Sequence, residues 1–326
     1  MSGPVTSSDA SPTPEADQPG GPGLEVLDGR AAEVGGFAVR RVLPRRERRT
    51  VGAWCFVDHM GPGTVGPGHG LDIGPHPHIG LQTVTWLLRG AVLHRDSLGS
   101  EQLIRPGQLN LMTAGQGISH SEETTGVHEG EVHGVQLWVA LPSATRAGPP
   151  DFEHHAELPQ VDLGGATATL LVGALGGSTS PARGDTDHLG ADLELHAGRT
   201  VVPVSPEHEH AVVVLEGAVT VDGQALEPGR LGYLGTGRDE VAVDTTEPAR
   251  VLVLGGTPFP EEVLMWWNYV ARTRDEVAAA HRDWSTGAPR FGTVASPLPR
   301  IDVPDPPWST GASSPQDQTA RPGRTG

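Results

Sequence analysis

The sequence predicts an all-β chain made of two tandem β-sandwich or barrel domains, with a short helical segment near its C-terminus. Three observations carry that reading. Short Val/Leu/Ile/Thr-rich runs are broken by Gly, Pro, Asp and Asn at close intervals through the middle of the chain. A block around Gly90 is echoed around Gly217, and two pairs of potential metal ligands sit at the two-residue spacing of extended chain.

The apolar runs at 83–88, 109–112, 135–141, 167–172, 212–215, 219–221 and 251–254 are too short for packed helices and suit strands. The repeat orders them. Leu88-Arg89-Gly90-Ala91-Val92, followed by Pro106-Gly107, is matched by Leu215-Glu216-Gly217-Ala218-Val219, followed by Pro228-Gly229. In each copy a strand ends in a glycine turn, a second strand leaves it, and a Pro-Gly turn opens a third. Two copies of one sandwich follow, divided near 142–151, where Pro, Ser, Gly and Ala cluster. The expected domains are therefore 25–145, which holds both ligand pairs, and 150–260, which lacks them.

One stretch departs from the strand pattern. Between 260 and 284, Val263, Trp266, Trp267, Val270, Val277 and Ala280 are spaced more as on a helix than in alternation, and Glu261-Glu262 suits a helix N-terminus. A helical segment is expected over 261–295. Residues 1–24 and 296–326 are poor in apolar residues and rich in Pro, Ser, Gly and acid, so both are expected to be disordered tails.

Composition limits the function. A chain of 326 residues can bury two cores of ordinary size, so no metal has to hold the fold together. Cys55 is the single cysteine, which excludes an intrachain disulfide and any thiolate cluster. A metal must then be held by His, Asp and Glu. The formal net charge of −17 argues against nucleic acid or an anionic membrane as partner. Arg40, Arg41, Arg45, Arg46, Arg48 and Arg49 form a basic run that reads as a solvated strand edge or arm. The sequence has no apolar run of about 18 residues and no basic-then-apolar leader pattern. A soluble, cytoplasmic monomer is expected.

His76-Pro77-His78 lies in a segment that Pro75 and Pro77 bias towards extended backbone. In extended chain residues i and i+2 project from one face, so both imidazoles point the same way. His120-Ser121-Glu122 repeats that geometry. On neighbouring strands the two pairs bring three imidazole nitrogens and one carboxylate oxygen together, a set suited to a first-row divalent metal with open positions. Glu123 and His128 are rivals by proximity, but Glu123 has the wrong parity to share a face with His120. The second copy lacks the pattern: with Gly90 laid on Gly217, Pro203 and Ser205 take the places of His76 and His78. His208 and His210 fall out of phase with the first site, and no histidine lies between Pro228-Gly229 and Arg250.

On four stretches the sequence resembles the pirin family. They are Phe56-Val57-Asp58-His59-Met60-Gly61-Pro62, His76-Pro77-His78-Ile79-Gly80, the run from Met112 to Glu122 with Gly115-Gln116-Gly117-Ile118-Ser119-His120-Ser121-Glu122, and His133-Gly134-Val135-Gln136-Leu137-Trp138-Val139. The likeness covers about 35–142 closely, and the second half through its general pattern and Gly255-Gly256-Thr257-Pro258. Pirins are bicupins, chains of two cupin domains, with iron in the first. The resemblance implies one divalent metal, Fe(II) before other first-row ions, on His76, His78, His120 and Glu122. Two positions depart from the pattern: Gln82 stands where the general cupin motif has Glu, and Ile79 where Arg is frequent.

Some bacterial pirins are similar to quercetinases, which open a flavonol ring with O₂ after the flavonol hydroxyl has lost its proton. The resemblance then makes Glu122 the expected catalytic proton acceptor. It also makes His94, Asp96, His133 and Gln82 candidates for lining the cavity or bonding the ligands, with the loop 61–70 at the entrance. Other members imply a different class, a redox sensor or transcriptional co-regulator whose metal biases binding to a protein partner. An inert structural metal is a third option.

Overall fold

The computed structural model describes residues 23–67 and 69–309. In the first domain a seven-stranded sheet runs in the order Asp151–His155, Leu109–Thr113, Leu81–Arg89, Gly130–Ala140, Trp54–Val65, Phe37–Leu43, Arg30–Val34. It shares a cavity with a four-stranded sheet in the order Ile73–His78, Ile118–Glu123, Val92–Asp96, Glu101–Ile104. The second domain repeats the plan. Its larger sheet is Glu25–Asp28, Arg230–Gly235, Glu209–Glu216, Ala249–Gly256, His188–Leu195, Ala166–Val172, Gln160–Asp162, and its smaller is Gly198–Pro203, Glu240–Thr245, Val219–Val221, Gln224–Leu226. This is the all-β architecture of two tandem sandwiches that the repeat implied.

Alternation explains the layering. On Leu81–Arg89, Val84, Trp86 and Leu88 point away from the cavity into a cluster that also holds Leu137, Ala211, Val213 and Leu252, so the two larger sheets pack back to back. The repeated glycines close equivalent turns at positive φ, 89° at Gly90 and 71° at Gly217, where a side chain would be strained.

Two strands cross the boundary between the chain's halves. Glu25–Asp28 pairs with Arg230–Gly235 at the edge of the second domain's sheet, and Asp151–His155 pairs with Leu109–Thr113 at the edge of the first. The halves are also pinned through Trp54. It is fully buried, and its indole N–H donates to the carbonyls of Leu189 at 3.0 Å and Gly255 at 3.2 Å. The facing residue is Gly190, where a Cβ would come 2.9 Å from the Trp54 ring.

The segment expected to be helical from Glu261 is so only in its second half. Leu264–Trp266 and Tyr269–Ala271 form a hairpin, and the helix is Arg274–Ser285. Trp266, Trp267 and Val270 serve the sheet: the Val270 N–H donates to the Ile79 carbonyl at 3.0 Å beside the His76-Pro77-His78 strand. The helix starts where the capping chemistry lies, with the Thr273 hydroxyl accepting from Glu276 N–H and Asp275 and Glu276 in the first turn. Glu261 instead holds Ser143 and Arg272. The C-terminal tail also differs from expectation. Residues 296–309 lie on the first domain, where Ile301 N–H donates to the Pro75 carbonyl at 2.9 Å and Trp284 indole N–H to the Ile301 carbonyl at 2.9 Å. The rest of that tail, and 1–22 of the N-terminal one, lie outside the described residues. Among the described residues, no helix is long and apolar enough to cross a membrane.

Trp54→Ala removes both the domain-pinning hydrogen bonds and a full indole from the interface, a change that costs about 3–5 kcal/mol. A thermal melt should show the midpoint falling by several degrees. A melt indistinguishable from the parent's would contradict the pinning role.

Candidate metal centre

The Ile73–His78 strand runs antiparallel to Ile118–Glu123, with His76 opposite His120 and Ile118 opposite His78. That register brings His76, His78 and His120 together, all buried, with one ring nitrogen of each within 4.8 Å of the others. Burial pushes the pKa of His76 down to about 4, and those of His78 and His120 well below the usual value, so all three imidazoles are neutral.

Their outward bonds fix which nitrogen carries the proton. His76 Nδ1–H donates to the Gly74 carbonyl at 2.9 Å, and His78 Nδ1–H to the Asn268 carbonyl at 3.1 Å. His94 Nε2–H donates to the Asp96 carboxylate at 3.1 Å, which leaves His94 Nδ1 to accept from His120 Nδ1–H at 3.3 Å. Each of the three Nε2 atoms is then left with a lone pair. Those of His78 and His120 face one another at 3.0 Å, an arrangement that two lone pairs hold comfortably only with a cation between them. The residues fit a divalent metal by donor chemistry and by the bonds that orient the donors.

Glu122 faces the same cavity as the imidazoles, but its carboxylate is not part of the three-nitrogen group. The Ile73–His78 strand carries one extra residue opposite His120–Glu122, while Ile118–Glu123 pairs in unbroken register with Val92–Asp96. Burial raises its pKa to about 7. The rivals point elsewhere. Glu123 accepts from Ser121, Ser296 and Arg95, and His128 Nε2–H donates to the Glu131 carbonyl.

The cavity walls are mainly apolar, with Phe56, Met60, Ile73, Trp138, Trp267 and Ile301 among them, and the cleft encloses about 550 Å³ including its open mouth. Among the described residues, none of 61–70 lines it.

Residues 36–139 match the Pirin family and residues 190–292 the Pirin C-terminal cupin domain. A Pseudomonas aeruginosa protein named "Putative quercetin 2,3-dioxygenase" is 48% identical over 292 residues, 89% of this chain and 92% of its own. A pirin-like protein of Caulobacter vibrioides is 39% identical over 80% of this chain and 93% of its own. The chain belongs to the pirin family. Its fold agrees: a crystal structure of quercetin 2,3-dioxygenase from Acinetobacter baumannii superposes with a TM-score of 0.84 at 44% identity, covering 87% of this chain and 96% of that one.

Of the outer residues expected around this pirin centre, His94 and Asp96 touch it, with the His94 ring stacked on Phe152 at 4.5 Å. The other two do not. Gln82 shares the parity of Val84 and Trp86 and points to the domain interface, bonding Thr113 and Asp185. His133 meets His59 at 2.7 Å and Arg89 at 3.0 Å, in a cluster with Glu216 of the second domain. Sequence reasoning missed Asn268 and Trp267. Asn268 acts through its backbone carbonyl, which has no side-chain signature, and Trp267 sits at φ 54°, a conformation rare outside glycine, in the turn that aims that carbonyl.

Two measurements test the centre. Elemental analysis should find about one metal per chain, most of it lost in His120→Ala and all of it kept in His208→Ala/His210→Ala; two metals per chain would refute a single site. Asp96→Asn releases the acceptor that holds His94, so metal affinity should fall about 10–100-fold with the fold intact by circular dichroism. Unchanged affinity would remove the Asp96–His94 pair from the centre.

Proposed function

We propose that the protein is a metal-dependent dioxygenase of the quercetin 2,3-dioxygenase type, holding Fe(II) with His76, His78, His120 and Glu122 and acting on a flavonol or similar enolic aromatic. The observation that carries this reading is the convergence of three oriented, neutral imidazole lone pairs on the floor of an apolar cavity. The names of the quercetin 2,3-dioxygenase relatives reported above support the choice of substrate. A divalent metal bound there would supply Lewis acidity towards an enol oxygen and open positions for small ligands.

The chain's own residues then have distinct tasks. The imidazoles bind, and Gly74, Asn268 and the His94–Asp96 pair hold their tautomers. Trp138, Phe56 and Trp267 offer flat apolar walls to a planar ring and keep water from the reacting oxygen. Glu122, a cavity carboxylate on the His120 strand, takes the proton that the enol hydroxyl gives up.

Iron loaded without air, followed by quercetin and then air, should give loss of flavonol absorbance together with release of carbon monoxide. Glu122→Gln separates binding from chemistry, because a neutral amide still offers an oxygen donor but takes up no proton near neutrality. The variant should keep a substantial fraction of its iron in excess metal and lose at least about a hundredfold in turnover, whereas Glu123→Gln should change neither. Full turnover in iron-loaded Glu122→Gln would end its role as base. No turnover by the iron-loaded parent with any flavonol would favour a redox-sensing or interaction role.

A further inference from the structure

Opposite the imidazoles, the larger sheet presents an unusual inner face. Strand register puts Arg41 beside Asp58, Asp58 beside Gln136, Gln136 beside Thr85, Thr85 beside Asn110, and Asn110 beside His154, one polar row across six strands. Neighbours in register share a face, so the row runs inside the barrel. Its members bond in pairs. Arg41 holds Asp58 through Nε at 2.8 Å and Nη2 at 2.6 Å, Thr85 donates to Gln136 Oε1 at 2.9 Å, and His154 meets Asn110 at 2.7 Å.

Only the end of the row with Arg41, Asp58 and Gln136 lines the metal cavity. Arg41 and Asp58 are each 2% exposed, and the guanidinium lies over the Phe56 ring at 4.6 Å. Burying an ion pair there is costly, and apolar residues of similar volume would fill the wall at no loss of stability. The pair therefore suits recognition better than it suits packing.

We propose that Asp58 and Gln136, with Arg41 holding Asp58, form a specificity-determining pole that selects substrates carrying a phenolic hydroxyl remote from the enol. The inference rests on the dioxygenase reading of the cavity and names what that site discriminates. A carboxylate oxygen takes more than one hydrogen bond, so Asp58 can accept from a further O–H while Arg41 is bound. The Gln136 carbonyl already accepts from Thr85, and its amide N–H groups are donors. Together they match a hydroxyl, which donates once and accepts once. They do not match an anionic group, since Asp58 already balances the Arg41 charge. A ligand lacking the hydroxyl would leave these groups desolvated and unpaired, the situation that gives strong discrimination.

The test is equilibrium binding to the iron-loaded protein without oxygen, followed by the absorbance shift of the flavonol. The probes are 3-hydroxyflavone, which has the enol alone, and kaempferol, which adds hydroxyls on both rings and no catechol. The parent should bind kaempferol at least about tenfold more tightly. Gln136→Leu should bring the two affinities within about threefold, by weakening kaempferol and, with no amide left to desolvate, tightening 3-hydroxyflavone. Arg41→Met/Asp58→Leu, which removes both charges at similar volume, should do the same and guards against a variant that fails to fold. Equal affinities in the parent, or a preference untouched in both variants, would overturn the hydroxyl pole while sparing the dioxygenase reading. Binding of neither probe to the parent would overturn both.

Discussion

Three imidazoles can share one buried point only if all are neutral and all turn a lone pair inward. Much of this molecule answers that constraint. Burial removes the charge, and each ring must then send its N–H to an acceptor outside the site. Those acceptors come from well-separated parts of the chain: Gly74 on the ligand strand itself, His94 with Asp96 on the neighbouring strand, and Asn268 from a hairpin nearly two hundred residues beyond His78. The centre is therefore not a property of the first domain alone. The chain after the second cupin returns to complete it.

That return explains what could and could not be read from the sequence. The ligand pairs were legible because a two-residue period in extended chain fixes which side chains share a face, and the His76-Pro77-His78 and His120-Ser121-Glu122 spacings survive in the register. The repeat around Gly90 and Gly217 was legible because only glycine tolerates those turns. Gln82 and His133 were misplaced for a converse reason. Parity says which residues lie together but not which face of a strand meets the cavity, and here one face meets the second domain instead. The tryptophans at 266 and 267 mimicked a helix because a two-residue turn puts consecutive aromatics on one side, and Pro-rich composition hid the ordered course of 296–309.

The two domains divide the labour unequally but are not separable units. Glu25–Asp28 and Asp151–His155 each complete the other half's sheet, and Trp54 is bonded to the backbone of two second-domain strands. Arg89, Glu131 and Glu216 add a charged cluster at the rim of the same interface, next to the buried His59–His133 pair. The second cupin, whose corresponding strand carries Glu209 hydrogen-bonded to Gly52 and Tyr233, serves as a platform. Its packing fixes the larger sheet of the first domain, and hence the wall that faces the metal ligands.

Alternation along Ile118–Glu123 sets two neighbouring glutamates on opposite faces. Glu122 shares the parity of His120 and lines the cavity with the imidazoles, Phe56 and Trp138. Burial there resists its charge, whereas the carboxylate of Glu123, the next residue, accepts from Ser121, Ser296 and Arg95. One step along the strand thus separates two neighbouring glutamates into different chemistry: Glu123 ties the C-terminal segment to the barrel, and Glu122 faces the cavity that holds the imidazoles and the aromatic walls.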